Sequence, residues 1–359
     1  MNTEGYIDKD RRKARGAVSN VAGRYDLARE VVVEALDPDD SLPPLRTDVT
    51  VETPRKIITY NGSPDLPFDR SINPYRGCEH GCVYCFARPT HAYLGLSPGL
   101  DFETRLIARP KAAQVLDREL RGRRYEVAPI AIGTNTDPYQ PIERDWRIMR
   151  KCMEVLRDFN HPVGVVTKGT LIERDIDILA PMAAQGLVRV GVSVTTLDAE
   201  LSRRMEPRAP TPARRLQTIQ RLTQAGIPVR IMTSPIVPGL TDHELEALLE
   251  AGRAAGADTA TWIMLRLPQE VSPLWQEWLE EHEPGRAGRI MARLREMHGG
   301  KEYDARWGHR MRGEGHYAQM IATRFERAAR KLGLDGEVPP LRTDLFQPPL
   351  RAGDQLSLF

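Results

Sequence analysis

The chain has 359 residues, of which 28% are charged and 41% hydrophobic, enough for one large α/β domain with extensions or for two modest domains. Its 51 basic and 49 acidic residues leave a formal charge of only +2, so nucleic-acid binding would require a local basic patch. The first residues carry charges with no apolar core behind them, and no apolar run of about eighteen residues occurs. We therefore expect a cytoplasmic protein with neither a secretory signal nor a membrane span.

Residues 1–66 are predicted to form an N-terminal arm. The arm opens with a basic cluster at 11–15, a pattern that a solvated tail would explain. A segment rich in Pro and Asp follows at 37–44 and favours turns and extended chain. Residues 56–60 are predicted to be either a short strand or a segment that docks on the core.

From about residue 70 the pattern alternates between strand and helix. Short apolar runs typical of buried parallel strands lie at 129–133, 162–167, 187–194, 228–233 and 259–265. Helical spacing follows the first four runs, at 145–158, 171–183, 212–225 and 242–255. Thr241 is the predicted N-cap of the last helix, with Glu244 at its third helical position.

A further strand just before residue 78 gives six β/α units between roughly 70 and 267, which indicates a parallel sheet with right-handed crossovers. Periodicity alone leaves open a partial barrel or a doubly wound sheet; in both, ligands bind at the carboxyl ends of the strands. Residues 271–335 are predicted to be mostly helical and the last residues extended. We therefore divide the chain into the arm (1–66), the core (67–270) and a helical extension with an extended tail (271–359). The tail is expected either to cover the barrel mouth or to bind a partner.

Three of the four cysteines lie within eight residues. Cys78, Cys82 and Cys85 have the spacing C-x3-C-x2-C, and Tyr84 precedes the last of them. Three thiolates on one short loop can ligate three irons of a 4Fe–4S cluster and leave the fourth iron open, whereas an electron-transfer ferredoxin supplies a fourth cysteine. The flanking glycines of the loop keep it clear where backbone must wrap the sulfides.

A zinc site is the alternative interpretation of the three cysteines. It would be completed by His80, His91 or Cys152, but the second spaced Cys/His pair typical of structural zinc is absent from the sequence. Cys152 falls in an apolar helical pattern, which indicates a buried structural thiol.

The cysteine spacing with an aromatic residue before the last cysteine resembles the signature of the radical S-adenosylmethionine (SAM) superfamily. The surrounding sequence, from about 60 to 265 and including 133–143, is similar to the spore photoproduct lyase-like branch, whose members are often described as DNA repair photolyase-like. The resemblance implies a partial (β/α)6 TIM-type barrel and two cofactors, a 4Fe–4S cluster on Cys78, Cys82 and Cys85, and SAM on the open iron. It further implies cleavage of SAM to a deoxyadenosyl radical that abstracts hydrogen from a substrate, with a flavodoxin or ferredoxin as electron donor.

The same resemblance implies where SAM is held. In spore photoproduct lyase, a serine after strand two, a lysine after strand three and a serine on strand four contact SAM, and by similarity these roles fall to Thr136, Lys168 and Ser193. Arg208 is expected either to clamp a carboxylate or to form an exposed ion pair with Glu206. The remaining predicted cofactor contacts are polar groups at the strand ends and beside the cysteines: Tyr84, Thr134, Asp137 and Ser234.

The substrate is left open by the sequence. Spore photoproduct lyase returns a hydrogen atom from a cysteine just after strand two, whereas this chain has Gly133-Thr-Asn-Thr-Asp137 there, so Tyr139 or Tyr93 is the predicted donor if one is needed. An enzyme acting on nucleic acid predicts a basic groove beside the cluster. The other two hypotheses are an enzyme acting on a peptide or small molecule, and a non-catalytic iron–sulfur or zinc protein. The arginines expected to line the groove are Arg121, Arg123, Arg124, Arg214 and Arg215.

Overall fold

A seven-stranded sheet forms the centre of the computed structural model, which describes residues 6–25 and 44–350. In chain order, the strands of these residues are β1 (Asp48–Val51), β2 (Ile58–Tyr60), β3 (Arg70–Ile72), β4 (Tyr75–Arg76), β5 (Arg105–Ala108), β6 (Ile130–Ile132), β7 (Val163–Thr167), β8 (Val188–Ser193), β9 (Val229–Ile236) and β10 (Thr259–Met264). The large sheet has the order β10-β9-β8-β7-β6-β3-β2, and a small sheet has the order β1-β5-β4.

Six neighbouring strands of the large sheet are parallel, from β3 to β10, and β2 is antiparallel at the β3 edge. Their apolar side chains are buried because helices cover the outer face of the sheet. The partial (β/α)6 TIM-type barrel is therefore confirmed. Of the two alternatives for residues 56–60, a strand or a docking segment, the structure shows the strand, β2.

The α-helices in chain order are α1 (Asp101–Thr104), α2 (Ala112–Leu120), α3 (Glu143–Trp146), α4 (Ile148–Asp158), α5 (Ile176–Ala184), α6 (Ala199–Met205), α7 (Pro212–Gln224), α8 (Leu245–Ala254), α9 (Val271–His282), α10 (Pro284–Met297) and α11 (Gly315–Leu332). Short 3₁₀ helices occupy Arg88–Leu94, Thr170–Asp175 and Asp242–Glu244. In α4, the residues at 148, 149, 152, 153 and 156 form one buried stripe, the period of an amphipathic helix. No helix in the described parts of the chain is both long and apolar enough to cross a membrane.

The predicted capping box at the start of α8 is wrong. The Thr241 hydroxyl accepts a hydrogen bond from the Val237 N–H (2.9 Å), inside the preceding loop. The Glu244 carboxylate reaches across to the loop after β8, where it accepts from the Thr196 hydroxyl (2.6 Å) and the Leu197 N–H (3.0 Å). Tertiary partners have replaced the local cap at both positions.

The described part of the arm is folded against the core. Arg12 is buried and forms an ion pair with Glu281 of α9, and Arg15 is buried and donates to the Glu103 carbonyl (3.0 Å). A solvated tail is therefore the wrong interpretation of these two residues. Further along, β1 pairs in parallel with β5 from Asp48 opposite Arg105 onward. The arm thus reaches the elements that follow the cysteines.

The segment between α10 and α11 lies beside the last barrel strand. The Met264 N–H at the end of β10 donates to the Met311 carbonyl (2.9 Å). The neighbouring Arg310 pairs with Asp65, which precedes β3 at the other side of the sheet (2.7 Å). Because β10 and β3 are the two ends of the parallel strand order, this segment bridges the gap that six strands leave in the barrel.

The carboxyl-terminal tail lies at the end of the barrel opposite the cysteines. The Arg342 N–H donates to the Gly186 carbonyl before β8 (3.0 Å), and the Gln347 N–H donates to the Phe159 carbonyl before β7 (3.0 Å). Both acceptors precede their strands, so residues 342–347 cover the amino ends of the strands. The expectation that the tail covers the mouth is wrong for its described residues.

Candidate active site

The three cysteines lie on a series of turns that follows β4. Cys78 and Cys82 are buried, and Cys85 is partly exposed. Two backbone hydrogen bonds fix the loop: the Cys78 N–H donates to the Phe102 carbonyl (2.9 Å), and the Val83 N–H donates to the Met205 carbonyl (3.0 Å). Burial raises the pKa of Cys78, and Asp137 and the other two cysteines raise it further. The three thiols are thus close enough to interact, and a bound cation would favour the thiolate form of Cys78, as it does for cluster ligands.

A buried ion pair holds the rear of the cysteine loop. The Arg88 guanidinium donates from Nε to the Cys82 carbonyl (3.0 Å) and pairs with Glu103, both side chains being fully buried. The same Glu103 carboxylate accepts from the N–H groups of Gly16 and Ala17, each at 2.8 Å. One carboxylate therefore joins the arm to the loop that carries the thiols.

Two side chains from the segment after β6 hold the front of the cysteine loop. The Thr136 hydroxyl and the Gln140 side-chain N–H both donate to the Gly77 carbonyl, at 2.6 and 3.2 Å. The Gln140 amide oxygen accepts from the Glu79 N–H (2.8 Å). The structure thus places Thr136 beside the cluster loop with its hydroxyl proton engaged by that loop.

Asp137 joins the loops after β6 and β7. Its Oδ1 accepts from the Thr167 hydroxyl (2.6 Å) and its Oδ2 from the Lys168 N–H (2.7 Å), while His80 Nδ1 lies 3.3 Å from Oδ2. Burial favours a higher pKa for Asp137, but His80 and these hydrogen bonds lower it to about 2. Asp137 is therefore an anion that positions the backbone of Lys168.

The Lys168 ammonium points toward the cysteines. Its Nζ lies 3.9 Å from Glu206 Oε1 and 5.7 Å from the centre of the Tyr84 ring. Burial raises the pKa of Cys82, and the charge of Lys168 opposes that rise. A cation held at this place can neutralise a ligand carboxylate.

Glu206 is the centre of a buried network that the sequence analysis missed. Its carboxylate accepts from the Tyr84 hydroxyl, from the Thr195 hydroxyl (3.0 Å) and from the Arg215 guanidinium. Glu206 and Arg215 are both fully buried. The expected ion pair between Arg208 and Glu206 is wrong, because Arg208 pairs with Glu79 (3.1 Å). The one signal in the sequence is the short loop at 206–211 between α6 and α7, which allows Arg215 in the first turns of α7 to contact Glu206.

The ends of β8 and β9 meet through two serines. The Ser193 hydroxyl donates to the Ser234 carbonyl (2.8 Å). Within the described residues, the buried Ser234 Oγ has no hydrogen-bond partner. An unsatisfied buried hydroxyl costs free energy, so this one fits a polar ligand at the barrel mouth. Thr134 is partly exposed at the end of β6, the same edge of the sheet.

The two predicted tyrosine donors are not brought together with the cysteines. Tyr139 is buried in the barrel core, and its hydroxyl donates to Asp175 (3.1 Å). Burial and Asp175 raise its pKa. Tyr93 is 67% exposed and its ring centre lies 5.1 Å from that of Tyr25.

Three of the five arginines predicted to line a basic groove have carboxylate partners in the structure. Arg215 is buried with Glu206, and Arg214 pairs with Glu173 (2.6 Å) on the outside of the barrel. Arg121 pairs with Asp117 and lies before β6, at the amino ends of the strands. Helical periodicity shows which face of a helix an arginine lies on, but it does not show which arginines form ion pairs with carboxylates of the same chain.

The donors considered for a zinc site have other contacts, and His80 Nδ1 lies 3.3 Å from Asp137 Oδ2. Cys152 packs in the barrel core, and a ring nitrogen of His91 lies 3.0 Å from the Arg105 carbonyl. Among residues 6–25 and 44–350, no three Cys, His, Asp or Glu side chains are arranged around a single metal ion.

Comparison with known proteins places this site in a family. Residues 72–252 match the Radical SAM superfamily. An uncharacterised protein of Mycobacterium tuberculosis (strain ATCC 25618 / H37Rv) is 40% identical over 235 residues, which cover 65% of this chain and 68% of that one. An uncharacterised protein of Methanocaldococcus jannaschii is 25% identical over 174 residues, 48% of this chain and 62% of that one.

Solved structures of spore photoproduct lyase share the fold. The lyase complexed with dinucleoside spore photoproduct superposes with a TM-score of 0.54 at 15% identity over 79% of each chain. A mutant with bound AdoMet and dinucleoside spore photoproduct gives a TM-score of 0.54 at 14% identity, covering 79% of this chain and 78% of that one.

The parallel barrel and its cysteine loop therefore define a cofactor-dependent radical enzyme. The chain belongs to the radical SAM superfamily. Its cofactors are accordingly a 4Fe–4S cluster and SAM, and the thiol triad, Lys168 and the free Ser234 hydroxyl fit them.

Proposed function

We propose that this chain binds a 4Fe–4S cluster through Cys78, Cys82 and Cys85 and reductively cleaves SAM to act on a substrate by hydrogen abstraction. With both cofactors bound, one electron from a flavodoxin or ferredoxin converts SAM to methionine and a deoxyadenosyl radical. The observation that carries the proposal is the meeting of the buried thiols, the Lys168 ammonium and the Tyr84 ring at the carboxyl ends of the strands.

The residues around the thiols have separate tasks in this proposal. Lys168 neutralises the methionine carboxylate, since its Nζ lies beside the cysteines and makes only a long contact of 3.9 Å with Glu206. The Ser234 hydroxyl gains a hydrogen-bond partner when SAM binds. Tyr84 is held by Glu206 and shields the site from water. Thymine-dimer lyase activity is not proposed, because the segment after β6 carries no thiol.

Anaerobic reconstitution tests the cluster assignment. We expect the wild-type chain to bind iron and sulfide and, once reduced with dithionite, to convert SAM to deoxyadenosine. The variant with Cys78, Cys82 and Cys85 all changed to alanine should bind no cluster, whereas Cys152→Ala should keep it because Cys152 lies in the core. Cluster retention by the triple variant, or a reduced wild-type protein that forms no deoxyadenosine, would reject the proposal.

The role of Lys168 is tested separately. Lys168→Ala should weaken SAM binding about tenfold or more, since a charge-assisted contact contributes about 1.5–3 kcal/mol. Equilibrium dialysis with radiolabelled SAM measures the affinity. Lys151→Ala, an exposed lysine of α4, is the control and should bind SAM as the wild type does. An equal affinity for both variants would remove Lys168 from the SAM site.

A further inference from the structure

Arg266 is a charged side chain next to the cysteine loop that has no carboxylate partner among the described residues. It follows β10 by two residues, so it lies at the carboxyl-end side of the last barrel strand. Its guanidinium lies 4.3 Å from the centre of the Phe86 ring, and Phe86 directly follows Cys85. In the described parts of the chain, its side chain makes no hydrogen bond and no ion pair.

An unpaired guanidinium in a partly buried place is costly. Burial lowers the pKa of Arg266, and Arg310 lowers it further, while Tyr303, Cys85 and Asp65 partly offset both effects. Other buried arginines of the described residues have protein acceptors: Arg88 pairs with Glu103, and Arg15 donates to the Glu103 carbonyl. Nothing among the described residues accepts a hydrogen bond from Arg266, so its five N–H donors are available to an anionic group.

A second cation and a second ring lie close to Arg266. The Arg310 guanidinium lies 5.3 Å from the centre of the Trp307 ring and is anchored by Asp65 (2.7 Å). Trp307 is 50% exposed and Phe86 45% exposed, so both rings present faces to solvent. The segment 301–312 that carries Trp307 holds four Lys or Arg residues and two carboxylates. The chain thus places exposed rings and cations together at the gap beside the cysteine loop.

This combination is the chemistry that recognises unpaired nucleotides. Bases stack on exposed aromatic faces, and arginine binds phosphate through paired N–H donors. A peptide carboxylate would use the cation alone and would leave both rings unexplained.

We infer that Phe86, Arg266, Trp307 and Arg310 form a platform for a single-stranded segment of nucleic acid, with a phosphate on Arg266 and bases on the two rings. The inference rests on the proposed function, because the bound nucleic acid would be the substrate of the deoxyadenosyl radical formed beside Cys85. It names the substrate class of that site, at a place different from the groove expected from the sequence.

Fluorescence anisotropy of the anaerobically reconstituted full chain tests the platform. The probe is a fluorescein-labelled oligodeoxythymidylate of about twelve nucleotides, within the range that single-strand sites cover. Arg266→Ala should weaken binding about tenfold and lower the salt slope by about one unit, since one phosphate contact is lost. Phe86→Leu and Trp307→Leu should each weaken binding about fivefold or more, because each removes one stacking face.

The matched control is Arg157→Ala. Arg157 lies at the end of α4, is 44% exposed and pairs with Asp158, so the variant loses the same charge at a distant place. Its affinity for the oligonucleotide should change less than about twofold, because salt screens distant charges. Iron content measured on every variant shows that the cluster loop has folded.

Three outcomes would overturn the inference. The first is a wild-type protein that does not bind the oligonucleotide. The second is an equal loss of binding in Arg157→Ala and Arg266→Ala. The third is a loss of SAM affinity in Arg266→Ala as large as its loss of oligonucleotide affinity, which would assign the guanidinium to the SAM carboxylate. Platform-dependent binding by a protein that forms no deoxyadenosine would instead reject the proposed function alone.

Discussion

At the scale of single residues, buried side chains of opposite charge form ion pairs around the cysteines. Glu206 has no exposed surface, and burial raises its pKa while Arg215 opposes the rise. The carboxylate is further satisfied by Tyr84 and Thr195. Such a network fixes the Tyr84 ring, and with it the residue before the last cysteine, in one position.

Removing Arg215 should therefore be costly. Arg215→Ala leaves the Glu206 carboxylate buried without its main partner, and we expect a loss of about 3–5 kcal/mol in the free energy of unfolding. Urea unfolding followed by circular dichroism measures the loss. Arg214→Ala is the control, since Arg214 is 33% exposed in its pair with Glu173 and should cost about 1 kcal/mol or less. Similar losses in both variants would show that the buried pair contributes no more than the exposed one.

At the scale of elements, the cysteine loop is held between the arm and α1. Glu103 of α1 joins Arg88 behind the loop to the backbone of the arm. Gly16 lies so close to the loop that a β-carbon there would be 1.8 Å from the Gly81 carbonyl oxygen. The arm is therefore part of the wall of the cluster site.

A side chain at position 16 should separate the arm from the loop. Gly16→Ala forces a backbone shift that we expect to cost about 1–3 kcal/mol, as overpacking does. The measurements are iron bound per chain after reconstitution and the rate of limited proteolysis in the arm, and we expect less iron and faster cleavage. Gly62→Ala is the control, because a β-carbon there meets nothing within 4 Å. Unchanged iron content and cleavage in Gly16→Ala would show that the arm is not needed by the site.

At the scale of the whole molecule, chain segments from outside the barrel cover both of its ends. The arm packs on the cysteine loop, and the tail covers the amino ends of the strands. There the Phe346 ring meets His161 edge-on, with ring centres 5.4 Å apart. His161 Nε2 lies 2.6 Å from the Tyr125 hydroxyl, and Nδ1 lies 2.9 Å from the Pro162 carbonyl. Burial lowers the pKa of His161 from 6.5 to about 4.

This lowered pKa predicts a pH dependence of stability. Below pH 6.5 the unfolded chain takes up a proton at His161 that the folded chain refuses until about pH 4. His161 therefore contributes stability above pH 6.5, and about 3 kcal/mol of it is lost as the pH falls to about 4. Urea unfolding at a series of pH values between 4 and 6.5 measures the free energy of unfolding. This free energy should change less with pH in His161→Gln than in the wild type. The same pH dependence in His161→Gln and in the wild type would contradict the assignment.

The sequence by itself determined the cysteine spacing, the six β/α units and the order of polar groups along the strand ends. These are local or periodic properties: three thiolates on one loop, and apolar runs that alternate with helical stripes. They were sufficient for a parallel α/β sheet and an iron–sulfur loop, whereas the choice of the barrel and of SAM came from the family resemblance. The sequence also predicts Lys168 at the mouth, since a residue that follows a parallel strand lies at that end of the barrel.

Only the tertiary structure decided which charged side chains form ion pairs within the described residues and which do not. Arg214 and Arg215 are neighbours in sequence, yet one pairs outside the barrel and the other inside it. Arg266 has no ion pair among the described residues, while Asp65, which acts on it electrostatically, pairs with Arg310. Pairing depends on contacts between residues far apart in the chain, for which periodicity carries no signal. The cofactors were therefore readable from the sequence, whereas the surface offered to a substrate emerged only when the chain was folded.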